Sequence, residues 1–426
     1  MTQPRPTAAV IGAGVSGLTA AHVLSGTHDV TLYEADPRLG GHAHTHDVPA
    51  ADGRQLRIDS GFIVHNDRTY PHLLRLFGEL GVQTRATEMS MSITCEGCGL
   101  SYAGGRGAGG ILAQPRRLAD PRFVRMLVEV PRFHRAARRL LASTDQDPTW
   151  GEFLSEGGYS DYFVRHFALP LVSCVWSSGD TDSGSYPARH LFRFLDHHGM
   201  LSVTGSPTWR TVVGGSASYV DRLLARLAAH GGTVLPAAPV TAVLRHADGV
   251  DVRTGDGNTT TFDTAVVATH ADEALQLLAD ASPEEKDDLG AIGYSANETW
   301  LHRDATVLPA SPRARASWNY RMSCARRVDD EPVLVSYWMN RLMGLTDSEE
   351  HVVTLNPQGR VDPALVTARM SYRHPVFTHE AVAAAARLRD AGGDRLAFAG
   401  AHLGWGFHED GCRSGVEAAT SLGGRW

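Results

Sequence analysis

The sequence predicts an α/β protein: a Rossmann-type nucleotide-binding domain around a parallel sheet, with an α+β second domain inserted into it. Three observations carry this. Residues 8–24, AAVIGAGVSGLTAAHVL, read as a buried strand, a glycine turn and a helix. Residues 29–33 supply a second apolar strand that ends at an acidic residue, Glu34. The 426 residues exceed one such domain and suit two intertwined ones.

Ala8-Ala9-Val10-Ile11 is apolar without alternation, the pattern of a strand covered on both faces. Gly12-Ala13-Gly14-Val15-Ser16-Gly17 then fits G-x-G-x-x-G. Gly12 permits the tight turn, Gly14 lets the backbone approach a pyrophosphate, and Gly17 lets helix and strand pack closely. The helix from Val15 to Leu24 aims the amides of Val15 and Ser16, and its dipole, at that pyrophosphate. Glu34, about 20 residues on, is placed to bind both ribose hydroxyls and repels a 2′-phosphate. The next stretch, Glu34-Ala35-Asp36-Pro37-Arg38-Leu39-Gly40-Gly41-His42, resembles the E-x-x-x-R-x-G-G signature of glutathione-reductase-type flavoproteins. There an arginine and two glycines extend the pyrophosphate site toward a flavin, so the expected ligand is FAD and not NAD.

The middle of the chain alternates between sheet and helix. Leu56 to Val64 reads as strand and turn, followed by a helix through Leu80. Met89 to Tyr102 reads as a hairpin with Cys95–Gly99 as its turn, and Gly104–Gly110 as a glycine-rich mobile loop. Residues 112–142 form an arginine-studded helical stretch interrupted at Pro115, Pro121 and Pro131. Helices continue from Trp150 to Leu171, and Ser173–Ser177 reads as a turn. After the helix Ala217–Ala229 come strands at 233–235, 240–244 and 250–253, with a hairpin turn at Asp256-Gly257. Phe262 to His270 then rejoins the nucleotide-binding sheet. Residues 1–75, 205–275 and 390–426 are therefore assigned to a discontinuous FAD-binding domain, and 76–204 and 276–389 to a substrate domain.

The last strand, Arg395–Gly400, leads through a glycine-rich segment, Ala401 to Gly411, into a terminal helix. A helix N-terminus there suits the flavin N1–C2=O edge, where negative charge gathers on reduction. A side chain at Gly411 is expected to displace the flavin and leave the pyrophosphate turn untouched.

Composition excludes several classes. Net charge is −7 with no basic block, which disfavours nucleic acid. No apolar run reaches the roughly 18 residues that span a bilayer, and no signal peptide precedes the first strand, so a cytoplasmic protein is expected. Five scattered cysteines argue against a disulfide framework. Cys95-Glu96-Gly97-Cys98 is a lone C-x-x-C with no further ligands at a matching spacing, so no metal site is expected. Incidental thiols in a turn is the main reading, with redox activity the alternative. His42-Ala43-His44-Thr45-His46 suggests three imidazoles on one strand face. Flavin-cradling by His42 and His44 is the reading adopted, with a metal the alternative.

Together, VIGAGVSGLTAAHVL, YEADPRLGGHAHTH, DTAVVATHADEAL and FAGAHLGWGFHEDGCRSGVEAA resemble the flavin amine-oxidase and phytoene-desaturase superfamily. DSGFIVHNDRTYPHLLRLFGELGV, SWNYRM, VSYWMNRLMGL and VVTLNP resemble one branch of it. That branch is the bacterial FAD/NAD-binding proteins akin to the N-terminal domain of plant cyclopropane-fatty-acid synthases. The resemblance implies an FAD-dependent oxidoreductase and assigns Gly12, Gly14, Gly17, Glu34, Arg38, Gly40 and Gly41 to FAD. It adds a main-chain contact at Val240 on the adenine side, and Gly400, Gly411 and the segment Glu409-Asp410 at the flavin. It also implies a fatty-acyl or lipid substrate, with peripheral membrane contact and a partner enzyme in lipid methylation as further implications. Superfamily amine oxidases commonly hold a water near the flavin with a lysine, and this chain has one lysine, Lys286, in an acidic surface helix. An amine or natural-product oxidase, and a non-catalytic FAD-binding partner of a methyltransferase, stand as alternatives. For catalysis His42, His44 and Trp405 are candidates, with His46, His270, His374, His402 and His408 as further polar groups. Trp176, Phe192, Phe194, Trp209, Trp318, Tyr320, Tyr337 and Trp338 are candidates for an apolar cleft.

Overall fold

The computed structural model describes residues 4–176, 184–202, 205–325, 334–357, 359–391 and 393–426. Ser177, the end of the turn expected from Ser173, lies outside them.

A five-stranded sheet holds the nucleotide-binding end. Its strands are β1 (Thr7–Ile11), β2 (Asp29–Tyr33), β3 (Thr233–Leu235), β4 (Thr264–Val267) and β5 (Leu396–Phe398), and all its pairings are parallel. The order β3-β2-β1-β4-β5 reverses direction between β1 and β4. A doubly wound sheet opens its ligand crevice at that reversal, and here the glycine turn after β1 stands at it. Four helices frame the crevice: α1 (Val15–Leu24), α2 (Pro71–Leu80), α3 (Ala217–Ala229) and α4 (His408–Ser421). The apolar residues of β1, α1, α2, α3 and α4 share one core, in which Val10, Leu18, Leu73, Leu223 and Ala419 are buried.

A seven-stranded sheet forms the other end. Its order is 366–375, 294–302, 352–355, 334–338, 318–322, 91–95 and 101–104, antiparallel except where Trp318–Met322 runs beside Met91–Cys95. Helices from 121 to 197 cover it through a second core around Phe133, Trp150, Phe163 and Phe192. Among the described residues no helix is long and apolar enough to cross a membrane.

Three local expectations are corrected. Residues 101–104 are a strand and 107–111 a helical turn, because Arg106 ties this segment to the carbonyls of Pro312 and Arg315. Pro131 lies inside one unbroken helix, Pro121–Ala142, whose buried face of Phe123, Met126, Phe133 and Ala137 outweighs the lost hydrogen bond. Ser173 to Trp176 completes a helix, Leu169–Trp176, every residue of which from Pro170 on is buried. Aromatic content there marks core, not a turn.

Candidate functional site

The turn after β1 has the shape its glycines suggest. Gly12 sits at φ +99° and a Cβ on Gly17 would lie 1.8 Å from the Gly12 carbonyl oxygen. A Cβ on Gly14, by contrast, would meet nothing within 4 Å. Gly14 caps α1 without a side-chain hydrogen bond, and no acidic residue stands in the helix's first turn. The amides of Val15 and Ser16 therefore begin a buried helix whose positive end faces open space, which fits a pyrophosphate.

Glu34 ends β2 with its carboxylate fixed at both oxygens. Ala13 N donates to Oε2 at 2.7 Å and Asp36 N to Oε1 at 2.9 Å. Ala35 is exposed beside it. The segment before Val240 lies against the same place, because Ala238 N donates to the Glu34 carbonyl at 2.8 Å. Arg38 donates to the carbonyl oxygens of Gly41 (2.8 Å), Leu39 and Ala43 (both 3.3 Å), and so closes the loop that carries Gly40 and Gly41. Gly40 N donates to Ala13 O at 2.9 Å, and a Cβ on Gly41 would stand 3.0 Å from Gly14 Cα. The two glycine motifs, 23 to 29 residues apart in sequence, form one surface.

His42 follows that surface, half-buried, with its Nε2 buried and without a hydrogen-bond partner. Its ring lies 4.9 Å from Tyr372, 5.7 Å from His374 and 6.3 Å from His270. His270 stacks on Tyr294 at 4.4 Å, and His402 is 6.4 Å beyond. Burial is the main cause that drives His42 well below the usual imidazole range, lowers His270, and takes His374 to about 4 and His402 to about 3. These four imidazoles are neutral at neutral pH. The nearby carboxylates, Asp272 and Glu273, are paired with Arg373.

The expected strand face of three histidines does not form, because the strand begins only at Thr45. His44 stacks on His46 at 4.0 Å, and both join a hydrogen-bonded chain through Tyr372 and Ser60. Beside that chain Asp59 is buried and accepts from Thr45 Oγ1 (2.6 Å), Ser216 N (2.8 Å) and Ser216 Oγ (2.7 Å), holding the start of α3. Burial pushes its carboxyl up to about 6.

The C-terminal segment differs from expectation in detail. Glu409 turns its carboxylate onto the start of α2, where it accepts from His72 N, His72 Nδ1 and Leu73 N. Asp410 accepts from Phe407 N at 3.1 Å and closes its own helix. Gly400 N donates to Ser414 Oγ, and Gly411 N to Phe407 O. A Cβ on Gly411 would lie 2.6 Å from Val15 Cγ1 and 3.0 Å from Ser16 Oγ. Gly411 is thus pressed against α1 at Val15 and Ser16, and the expectation that a side chain there spares the glycine turn is corrected. The amides left for a ligand are the first three of α4, His408 to Asp410.

Alongside this segment lies a cavity of about 540 Å³, walled by Tyr70, Phe194, Trp405 and Phe407, with Arg68 and His198 also on its lining. Trp405 is held by its own indole N–H on His190 O and by Trp176 Nε1 on its carbonyl. Two of the other aromatic candidates are placed elsewhere. Trp338 bonds Glu350 under the Arg341 guanidinium, and Trp318 packs on Tyr337. Sequence reasoning missed Tyr372, Tyr294, Asn297 and Arg68. Of these, Asn297 faces His374 Nδ1 at 3.1 Å, across a strand pairing that no local pattern announces. Cys95 and Cys98 are also not an isolated pair. His166 and Cys324 join them in space, which corrects the expectation of no metal-binding cluster; ligands so distant in sequence evade any spacing rule.

A doubly wound sheet whose glycine turn is extended by a second glycine pair defines a dinucleotide site prolonged toward a flavin ring. The comparisons agree: residues 15–351 match the family of flavin containing amine oxidoreductases, and the chain belongs to it. FAD is the cofactor of that family, and the open cradle at Gly14 with the fixed Glu34 fits it. Tryptophan 2-monooxygenase of Agrobacterium vitis is 52% identical over 52 residues, 12% of this chain and 7% of that protein. Cyclohexylamine oxidase from Brevibacterium oxydans superposes with a TM-score of 0.69 at 17% identity, over 98% of this chain and 99% of that one. A fatty acid isomerase from P. acnes that produces CLA does so with a TM-score of 0.68 at 17% identity, over 98% and 99%. At such identity the two structures establish the fold.

Proposed function

We propose that this protein is an FAD-dependent oxidoreductase acting on an apolar substrate, an unsaturated or methylated fatty-acyl or lipid chain, by desaturation, oxidation or isomerisation. When bound, the flavin supplies the hydride acceptor. The chain's own residues bind and orient. The cavity walled by Tyr70, Phe194, Trp405 and Phe407 carries the reading, since an aromatic wall suits an alkyl or alkenyl chain. Arg68, on the same lining, donates to the Gly205 carbonyl at 3.2 Å and can also hold a carboxylate head. Of the three lining carboxylates, Glu409 is engaged on α2 and Asp410 accepts from Phe407 N, while Asp196 lies 3.8 Å from Arg138. The imidazoles of His42, His270, His374 and His402 are neutral at neutral pH, so this cluster offers an ammonium group no counter-charge. Lys286, the only lysine in the sequence, is exposed on the helix Pro283–Gly290.

Oxidation of an amine or amino acid is the second reading, favoured by the tryptophan 2-monooxygenase match. Anaerobic mixing with unsaturated fatty acids or with amines, followed at the flavin absorption band, decides between them. Bleaching by the fatty acids supports the proposal. Bleaching by amines alone overturns it, and the absence of both bleaching and an isomerised fatty acid among the products favours a binding partner for a lipid-modifying enzyme.

A further inference from the structure

Far from the flavin cradle in sequence and chemistry, the ligand atoms of Cys95, Cys98, His166 and Cys324 all lie within 4.8 Å of one another. Cys95 and His166 are buried, and Cys98 and Cys324 half-buried. The fold builds this cluster from three places. Cys95 closes the strand Met91–Cys95, where it pairs with Met322 of the parallel neighbour. The chain leaving Met322 therefore passes beside it, and Cys324 N donates to Cys95 Sγ at 3.3 Å. The turn that brings Cys98 round is fixed by Glu96 N on Met322 O and Gly99 N on Cys95 O. A Cβ on Gly97 would stand 2.9 Å from both Cys324 Sγ and Ala325 N, so no other residue fits inside this C-x-x-C.

His166 arrives from a π-helical segment, Val164–Ala168, a local widening of the helix that is frequent at functional sites. Its Nδ1 lies 3.0 Å from the Tyr162 carbonyl oxygen, which places the proton on Nδ1. Nε2 then presents a lone pair, 3.5 Å from Cys98 Sγ. This is how metal-binding histidines are oriented, with the far nitrogen donating to a carbonyl. Arg117 and Arg165 donate to the carbonyls of Cys98 and Cys324 and bring positive charge to the cluster's edge.

We propose that Cys95, Cys98, His166 and Cys324 form a structural zinc site. Three thiolates and one imidazole are a zinc set, and bonds of about 2.3 Å on a tetrahedron put ligand atoms about 3.8 Å apart, close to the spacing present. On binding, three S–H protons leave to solvent as three Zn–S bonds form, and no electron moves. Four protein ligands leave no open position, so the ion staples and does not catalyse. It joins the neighbouring strands Met91–Cys95 and Trp318–Met322 to the helical run through Leu169–Trp176, in which the Trp176 indole holds the Trp405 carbonyl.

The test is metal analysis of the full-length, FAD-loaded protein purified from zinc-supplemented medium. One zinc ion per chain is expected, falling about tenfold or more in Cys324→Ser and His166→Ala. Should those variants fail to fold, cobalt exchanged into the wild-type protein serves instead. Tetrahedral cobalt–thiolate bands to the red of the flavin support the site. Wild-type protein that carries no zinc and takes up no cobalt overturns it, as does a disulfide among the three cysteines in the native protein. The readout is independent of any substrate, so it stands or falls apart from the proposed activity.

Discussion

Glu34 shows how far a single residue could be read in advance. Its motif spacing named it, and the structure adds that both oxygens already accept backbone amides, so it braces the turn after β1. Glu34→Ala is expected to weaken FAD binding by roughly 1.5–3 kcal/mol, the worth of a charge-assisted contact, measured by FAD titration of apoprotein. Arg68 had no such signature. It matters through the cavity beside it, which is assembled from residues 68–72, 194–198 and 405–413. Arg68→Ala should raise KM for a free fatty acid roughly ten- to hundredfold, and leave a methyl ester unaffected. Equal loss on acid and ester would remove Arg68 from substrate binding. Asp59 was equally hidden, because its partners Thr45 and Ser216 lie 14 and 157 residues away.

Elements with a local pattern were legible: β1, α1 and β2 lie where the apolar runs and glycines put them. Elements decided by packing were not, as the unbroken helix through Pro131 shows. The same holds for how elements meet. α4 crosses α1 with almost no side-chain spacer, since a Cβ on Gly415 would stand 2.3 Å from Ser16 O and one on Gly411 2.6 Å from Val15 Cγ1. Gly411→Val must therefore push α4 off α1, which follows the glycine turn. ADP-ribose and FAD should both bind more weakly, in calorimetry, and the protein should lose on the order of 1–3 kcal/mol of stability from overpacking. Normal ADP-ribose binding with impaired FAD binding would instead place Gly411 at the flavin.

Over the whole molecule the buried and half-buried histidines set the response to acid. Burial holds His44, His402 and His408 to about 3, and His65, His134, His190, His198, His302 and His374 to about 4. An unfolded chain protonates these near 6.5. Below that pH the unfolded state binds more protons, so stability is full above about 6.5 and drains as the pH falls toward 4. Asp59 and Asp410, raised to about 6, act oppositely, because the folded state holds their protons between about 4 and 6. Nine groups outweigh two. Tm should fall steadily from about pH 7 to pH 5, and a flat profile would contradict the buried, neutral state of these rings.

The five-stranded sheet also bears on the order in which the chain is made. β1 and β2 emerge first, yet β1 needs β4 as its other neighbour, and β4 in turn pairs with β5 at residues 396–398. The first helix waits similarly for its partner, since the Ser16 carbonyl packs on Gly415, almost four hundred positions later. A ribosome that has delivered the glycine fingerprint has thus delivered only half of its support. Pairings of such long range close slowly and leave apolar strand edges uncovered meanwhile. Because a ligand of the native state adds stability only once its site exists, FAD should act only after β5 and α4 have been made, instead of nucleating the first strands.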